Sequence, residues 1–151
     1  DFTLASGRES TVKFDFDRVK TNSGLYVAAV AGLARCIKAN MNFDEYDTVA
    51  LVSVATGANR LGDSLTNLRL PVFHVPSRKD YDGNFYISER TDGIVGILVD
   101  DVYTTGSSFE KVRRVFRGEI IGAYALLDRS GMTDPTLAGG VPVRSVMQYE
   151  L

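Results

Sequence analysis

The segment 93–116, GIVGILVDDVYTTGSSFEKVRRVF, constrains the fold more than any other part of the chain. Its residues 94–99 form a continuous apolar run, as expected for a parallel strand that is covered on both faces. Asp100 and Asp101 follow at the carboxyl end of this strand, where open α/β sheets bind ligands. A short loop then leads into an amphipathic helix. The segment therefore predicts a strand–loop–helix unit of an α/β domain, with a ligand site at the end of the strand.

The loop after the two aspartates combines hydroxyl groups with a glycine. Its members are Thr104, Thr105, Gly106, Ser107 and Ser108. Free backbone N–H groups at a helix start, together with the helix dipole, favour a phosphate, and Gly106 permits a tight turn. The two carboxylates could bind a diol, and the loop beside them could bind a phosphate group. Ribose 5-phosphate carries both of these groups. The alternative is an ordinary strand, turn and helix, with Thr105 or Ser107 as the helix cap and solvated aspartates.

Composition narrows the class of protein. The chain has 151 residues, which suits a single domain over 1–151, and its 44% hydrophobic and 24% charged content is ordinary for a globular protein. A net charge of −2 gives no polybasic surface for nucleic acid. No apolar run approaches the length of a membrane span, and no signal peptide is visible at Asp1, so a cytoplasmic protein is expected. The single cysteine, Cys36, excludes an internal disulfide.

The N-terminal part of the chain has a different pattern from the rest. Residues 10–17, STVKFDFD, alternate between apolar and charged or polar side chains, which predicts a half-buried antiparallel strand. We expect residues 1–20 to form a small antiparallel hood and residues 21–151 to form the core of the domain.

The rest of the chain alternates between strands and helices. Strands are expected at 48–55, 71–75, 94–99, 120–127 and 143–148, and helices at 22–40, 63–68 and 107–116. The first helix is expected to turn inward Leu25, Ala28, Ala29, Leu33 and Ile37. Residues 76–92 are interpreted as a long loop with a hairpin at 82–84, and residues 130–142 as another loop. This alternation predicts an α/β fold with a doubly wound, mostly parallel sheet.

The segment from Asp100 to Ser108, DDVYTTGSS, resembles the phosphoribosyl-diphosphate (PRPP) motif of the type I phosphoribosyltransferases. In that family the strand ends in two acidic residues, and the loop has the form D-D-x-x-T-T-G-x-[ST]. The match is long and ordered, which makes it much more specific than an isolated glycine pattern. The resemblance implies that Asp100 and Asp101 hold the ribose hydroxyls, directly or through Mg²⁺, while the loop from Thr104 to Ser108 binds the 5-phosphate.

Three further segments resemble the orotate phosphoribosyltransferases in the order of that family. They are FTLASGRES followed by VKFDFDRV near the N terminus, Arg78-Lys79-Asp80, and Leu127-Asp128-Arg129. The resemblance covers nearly the whole chain. It implies that a base and PRPP react with magnesium to give a nucleotide 5′-monophosphate and pyrophosphate, and that the protein is a homodimer.

The expected chemistry assigns further residues to the leaving group. Departure of pyrophosphate leaves positive charge on the ribose ring, so holding the leaving group and stabilising its charge dominate catalysis. The turn that contains Thr56 and Gly57 would offer backbone N–H groups to the pyrophosphate, and Arg78 and Lys79 would add positive charge. Asp100, Asp101 and Lys79 are the candidate catalytic residues.

Two residues are candidates for binding the base. Arg129 could grip the carboxylate of orotate with two parallel hydrogen bonds, and Phe14 could stack on the ring. The alternatives are a surface or dimer-interface arginine paired with Asp128, and a Phe14 that faces the core. The only histidine, His74, has no neighbouring set of ligands, and we interpret it as structural.

The pattern of the orotate enzymes also breaks at three positions. Their mobile loop usually continues A-K-x-H-G, whereas Asp82 stands at the lysine position here and no histidine follows. Ala5 stands where many members have a lysine, and Thr56 occupies a position that is often basic. Three hypotheses stay open: a compact orotate phosphoribosyltransferase, a phosphoribosyltransferase for another base, and a catalytically weak regulatory protein that binds PRPP or a nucleotide.

Overall fold

A computed structural model describes residues 23–148, together with the backbone of two short strands near the N terminus. The strands are β1 (Phe2–Thr3), β2 (Glu9–Ser10), β3 (Val49–Ser53), β4 (Phe73–Pro76), β5 (Arg78–Lys79), β6 (Phe85–Tyr86), β7 (Val95–Tyr103), β8 (Glu119–Asp128), β9 (Thr136–Leu137) and β10 (Val141–Gln148). The α-helices are α1 (Ser23–Asn40), α2 (Asn59–Thr66) and α3 (Ser107–Val115), and two 3₁₀ turns lie at Phe43–Glu45 and Ala138–Gly140.

The main sheet has six strands in the order β4-β3-β7-β8-β10-β9. All neighbouring strands are parallel except β9, which runs antiparallel to β10. This confirms the predicted α/β fold with a mostly parallel sheet. A small antiparallel sheet, β1 with β2, is present near the N terminus as expected. Most of the strand predicted at 10–17 lies outside the described residues.

One face of the sheet packs against α1 and α2. Alternate residues of the strands point to this face, among them Leu51, Ile97 and Tyr124, all nearly inaccessible to solvent. The buried residues of α1 are Tyr26, Val30, Leu33, Ala34 and Ile37. The prediction for the first turns of α1 was therefore wrong, since the side chain of Leu25 is 47% exposed and Ala28 is also exposed. The larger Tyr26 and Val30 bury more apolar surface than the small residues would, which decides the rotation of the helix.

The opposite face packs against α3. Phe109 and Val112 of this helix are buried against strand residues such as Val52 and Leu98. Phe116, in the connection between α3 and β8, packs over Gly96 of β7. A β-carbon at position 96 would lie only 2.8 Å from Cζ of the Phe116 ring. Both faces are thus covered, which explains why the central strands read as continuous apolar runs.

Some predicted boundaries were wrong, and tertiary contacts account for the differences. The helix expected at 63–68 begins at Asn59, because Asn59 forms side-chain hydrogen bonds to two neighbouring segments. The central strand continues past both aspartates to Tyr103, since Asp100 and Tyr103 pair with residues of β8. The loop expected at 130–142 contains β9, and the last strand starts at Val141. The hairpin in the 76–92 loop is confirmed by the pairing of β5 with β6.

Among the described residues, no helix is long and apolar enough to cross a membrane.

Candidate active site

The loop over residues 104–108 connects β7 to α3 and has a shape that its own residues determine. Gly106 precedes the helix with φ of 84°, a left-handed conformation that favours glycine. A β-carbon at this position would also lie 3.2 Å from the ring of Tyr103 and 3.3 Å from Leu137. The Ser107 N–H donates to Oγ1 of Thr105 at 3.3 Å. The N-cap residue of the helix is Gly106, which has no side-chain cap, so neither Thr105 nor Ser107 occupies the cap position that the alternative interpretation expected.

A small concavity of about 40 Å³ lies within this loop. Its lining includes Asp100, Tyr103 and every residue from Thr104 to Ser108. The wall faces the N-terminal end of α3, where backbone N–H groups and the helix dipole favour an anion. The structure thus brings all five residues of the predicted phosphate cradle to one place.

The two aspartates are not solvated side chains at the end of a strand. Asp101 is 8% exposed, and Asp100 is half-buried and accepts a hydrogen bond from the Asp101 N–H at 2.7 Å. A β-carbon on Gly57 would lie 3.5 Å from Oδ2 of Asp101. Asp101 therefore lies close to the loop that follows β3.

That second loop, over residues 54–58, connects β3 to α2 and begins with a cis peptide bond between Ala55 and Thr56. Its backbone is held by hydrogen bonds from the Ala58 N–H to Val54 O and from the Asn59 N–H to Thr56 O, at 3.1 and 3.2 Å. Thr56 and Gly57 are exposed, and no acceptor within residues 23–148 takes their N–H groups. The 54–58 loop therefore presents two N–H donors beside the acidic pair.

The residues that hold the 54–58 loop were missed by the sequence analysis. Ser77, fully buried, accepts a hydrogen bond from the Ala55 N–H at 2.8 Å and donates to Ser53 O at 2.6 Å. Ser53, also fully buried, contacts Asn59 and His74 through its hydroxyl group. A serine inside an otherwise apolar strand, TVALVSVA, was the available signal, because a buried hydroxyl group needs a partner.

The predicted cationic residues lie on the β5–β6 hairpin. Arg78 and Lys79 are both exposed, and Nζ of Lys79 lies 4.9 Å from the centre of the Phe85 ring. The carboxylate of Asp80 accepts hydrogen bonds from the N–H groups of Asp82 and Asn84, each at 2.9 Å. Asp82 thus forms part of a tight, locally bonded turn at the tip of the hairpin.

Arg129 lies at the carboxyl end of β8, beside the 104–108 loop. Its N–H donates to Tyr103 O at 2.9 Å, and its side chain is half-buried. The neighbouring Asp128 is 4% exposed and accepts a hydrogen bond from the Ser130 N–H at 2.7 Å, so it is not a surface carboxylate. Burial raises the pKa of the Tyr103 phenol, and the charges of Asp128 and Glu110 raise it further. Phe14, the other predicted base-binding residue, lies outside the described residues.

The described residues contain no cluster of three or more histidine, cysteine, aspartate or glutamate side chains that could hold a metal ion. Asp100 and Asp101, the residues predicted to hold Mg²⁺, are therefore not part of such a cluster.

Comparison with known proteins places the chain in a family. No family model matches the sequence. The orotate phosphoribosyltransferase of Pyrobaculum calidifontis is 31% identical over 153 aligned positions, which cover 96% of this chain and 77% of that protein. The crystal structure of orotate phosphoribosyltransferase from Aeropyrum pernix superimposes with a TM-score of 0.62 and 26% identity, covering 98% of this chain and 85% of the other.

Proteins that act on another base share the fold. Adenine phosphoribosyltransferase from Saccharomyces cerevisiae superimposes with a TM-score of 0.63 at 20% identity, covering 85% of this chain and 82% of its own. At that identity the likeness concerns the fold alone. Together with the orotate relatives and the two loops at the carboxyl edge of the sheet, these comparisons show that the chain belongs to the type I phosphoribosyltransferase family and is a transferase enzyme.

Proposed function

We propose that this protein transfers the phosphoribosyl group of PRPP to orotate, giving orotidine 5′-monophosphate and pyrophosphate. The close approach of Gly57 to Asp101 carries the proposal, because it brings the 54–58 loop beside the acidic residues that precede the 104–108 loop. PRPP has a phosphate at one end, a diphosphate at the other, and a ribose diol between them. The order of the 104–108 loop, the acidic pair and the 54–58 loop matches that order of groups.

Each part of the substrate has a proposed partner. The 5-phosphate binds in the small concavity of the 104–108 loop, at the start of α3. The carboxylates of Asp100 and Asp101 accept hydrogen bonds from the ribose hydroxyl groups. The N–H groups of Thr56 and Gly57 donate to the diphosphate, since they are exposed beside Asp101.

The proposed contacts would speed the reaction by stabilising the charges that develop in the transition state and by holding the substrate in place. As the bond to pyrophosphate breaks, positive charge develops on the ribose ring, and the nearby carboxylates of Asp100 and Asp101 stabilise it. Negative charge develops on the leaving group, and the N–H donors of the 54–58 loop stabilise that charge without reorganising. Arg78 and Lys79 on the exposed hairpin add positive charge on the pyrophosphate side.

Mg²⁺ fits the residues that are present. Asp100 and Asp101 supply the oxygen ligands that this ion prefers, and the rest of its coordination would come from the substrate phosphates and water. The lack of a larger acidic or histidine cluster in the described part of the chain is consistent with such a site. When bound, the ion would neutralise part of the charge of the diphosphate.

Arg129 is the proposed residue that selects the base. It follows β8 directly, and its backbone is bonded to the end of β7, so it lies next to the ribose-phosphate site. A guanidinium group can bind a carboxylate with two parallel hydrogen bonds, and orotate differs from uracil by its carboxylate. Phe14 is the proposed stacking partner of the base.

Two other functions stay open because of the hairpin. Asp82 stands at its tip, where the orotate enzymes have a lysine, and a carboxylate there repels pyrophosphate. A phosphoribosyltransferase for another base, or a weakly catalytic protein that binds PRPP, would both tolerate this change. The resemblance to orotate enzymes also leads us to propose a homodimer, whose second subunit would be a source of additional cationic residues.

The first experiment measures pyrophosphate release from PRPP and magnesium with orotate, uracil, nicotinate, adenine and hypoxanthine. We expect turnover with orotate. Turnover with adenine or another base alone would reject orotate and keep the transfer reaction. If no base gives pyrophosphate release while PRPP still binds, the result would favour the hypothesis of a weakly catalytic protein that binds PRPP.

The companion variant is Arg129→Ala. Loss of charged hydrogen bonds is expected to lower kcat/KM for orotate by about 10- to 100-fold, with PRPP affinity nearly unchanged. Arg117→Ala is the matched control, because Arg117 is exposed and precedes the opposite, amino end of β8. Equal loss of orotate use and PRPP binding would remove Arg129 from the base pocket.

A further inference from the structure

A chain of polar side chains runs beneath the 54–58 loop and ends at an exposed carboxylate. Nδ1 of His74 lies 2.8 Å from Oδ1 of Asp63, and Nε2 lies 2.6 Å from the Ser53 hydroxyl group. That hydroxyl group also contacts Oδ1 of Asn59 at 2.5 Å, and the amide nitrogen of Asn59 lies 3.3 Å from Ser77 O. We call these five residues the His74 network.

The positions of the protons in the His74 network follow from its acceptors. Ser77 O can only accept, so the amide nitrogen of Asn59 must face it, and Oδ1 of Asn59 must face Ser53. Ser53 has one hydroxyl proton and donates it to Oδ1 of Asn59. With that proton directed to Asn59, a proton on Nε2 of His74 would make the contact with Ser53 a hydrogen bond.

The other ring nitrogen also faces an acceptor. Nδ1 of His74 faces the carboxylate of Asp63, which in its ionised form can only accept. Both nitrogens of His74 thus face oxygen atoms that can accept a hydrogen bond, and the Asp63 side chain is itself 75% exposed. The other charged residue of α2, Arg60, places its guanidinium group 4.1 Å from the ring centre of Tyr26, and β3 has no charged residue.

The sequence of α2 makes room for this ring. A β-carbon at Gly62 would lie 2.2 Å from Nε2 of His74, so any other residue at this position would have to displace the ring. Glycine inside a helix is unfavourable relative to alanine, so its presence here has a packing reason. The ring, only 12% exposed, is thus enclosed between α2 and the end of β3.

The His74 network holds both ends of the 54–58 loop. Ser53 is the last residue of β3 and Asn59 is the first of α2, and the loop lies between them. The third anchor, Ser77, accepts the N–H of Ala55 within the loop. Thr56 and Gly57, which lie between these anchors, are exposed, and no acceptor within residues 23–148 takes their N–H groups.

We propose that His74, with a proton on both ring nitrogens, is a positioning residue that holds the 54–58 loop in the shape that binds the diphosphate of PRPP. The proposal rests on the proposed function for the role of Thr56 and Gly57. His74 touches no substrate atom in this scheme, and its effect passes through Ser53 and Asn59. Loss of the cation is expected to weaken the diphosphate contacts and to leave base binding intact.

The direct test uses the fact that His74 is the only histidine of the chain. With ¹⁵N-labelled histidine, the NMR spectrum of the full chain reports this ring alone. We expect two ring N–H signals in the folded parent protein and a weaker Nδ1–H signal in Asp63→Asn, and Asp63→Glu should restore that signal. A single N–H signal at every pH in the folded parent would overturn the proposal.

The functional test compares His74→Gln and Asp63→Asn with the parent. Both should raise the KM for PRPP about fivefold, in the range of coupling within a hydrogen-bonded network, while kcat and the KM for the base are unchanged. Ser64→Ala is the matched control, because Ser64 lies on α2 and bonds only to Arg60 O. Equal changes in the KM for PRPP and for the base would overturn the positioning role.

The two proposals can fail separately. If the parent neither binds nor turns over PRPP, the proposed function fails, and binding of magnesium pyrophosphate to the 54–58 loop then tests His74. Shifts of the Thr56 and Gly57 amide signals with pyrophosphate, weakened in Asp63→Asn, would support the positioning role. Shifts of equal size and affinity in both proteins would overturn it.

Discussion

The two loops at the carboxyl edge of the sheet obtain their shapes in different ways. The 104–108 loop depends on its own residues, through the left-handed Gly106 and the hydrogen bond from Ser107 to Thr105. The 54–58 loop depends on residues outside it, among them Ser77 after β4 and His74 within β4. Asp101, which precedes the 104–108 loop, lies close to Gly57 of the 54–58 loop.

This difference predicts different responses to mutation. Changes that disturb the 104–108 loop should map to the loop itself, because its hydrogen bonds are local. Changes that disturb the 54–58 loop should also map to β4 and α2, which are distant in sequence. Damage at the place where the loops meet should affect both halves of the substrate site.

The largest effect is expected for Asp101→Asn. It removes a buried charge between the loops while keeping nearly the same shape, so the rate of phosphoribosyl transfer should fall by about 10²- to 10³-fold. Initial rates and PRPP titrations measure this, with the exposed Asp47→Asn as the control. A rate like that of the parent would show that the loops do not share a substrate at this carboxylate.

The next effect is expected for Ser77→Ala, which tests whether the 54–58 loop depends on distant residues. The Ala55 N–H would lose its acceptor, and Ala55 is 7% exposed, so the free energy of unfolding should fall by about 1–3 kcal/mol. PRPP affinity should fall as well, as measured by calorimetry. Ser64→Ala on α2 should change neither quantity. If Ser77→Ala binds PRPP with parental affinity, the binding shape of the 54–58 loop does not depend on this distant residue.

The smallest effect is expected for Gly106→Ala, which tests whether the 104–108 loop carries its own shape. A left-handed residue with a β-carbon costs about 1–2 kcal/mol in unfolding free energy, and the new methyl group would crowd Tyr103. PRPP affinity should fall in parallel. Gly83→Ala is a matched control with φ of 82° and nothing near its β-carbon. If both variants bind PRPP equally well, the conformation of Gly106 is not required by the site.

Local features of the site were predictable from the sequence. Asp100, Asp101 and the hydroxyl-rich loop are contiguous, so their place between the central strand and a helix followed from order and spacing, although both aspartates lie inside the strand and not after it. The alternation of elements likewise predicted the parallel sheet that the structure shows. What failed was local detail set by packing, such as the inward face of the first turns of α1 and the start of α2.

The support of the 54–58 loop was not predictable, and His74 illustrates why. In sequence it is an isolated histidine in a strand, with no pattern of ligands around it. Its partners Ser53 and Asp63 are 21 and 11 residues away, and they meet only because β4 lies beside β3 and α2 packs over both. Gly62 makes room for the ring, but in the sequence it is only a glycine that destabilises a short helix.

By itself the sequence determined the chemical groups at the end of the central strand, because one contiguous segment supplies both carboxylates and the hydroxyl- and glycine-containing loop after them. It also determined the layered α/β fold, since hydrophobic periodicity is a local property of each element. Only the tertiary structure decided which distant polar residues support the second loop and how closely that loop approaches Asp101. Those contacts depend on strand order and helix packing, which bring together residues that no local pattern connects.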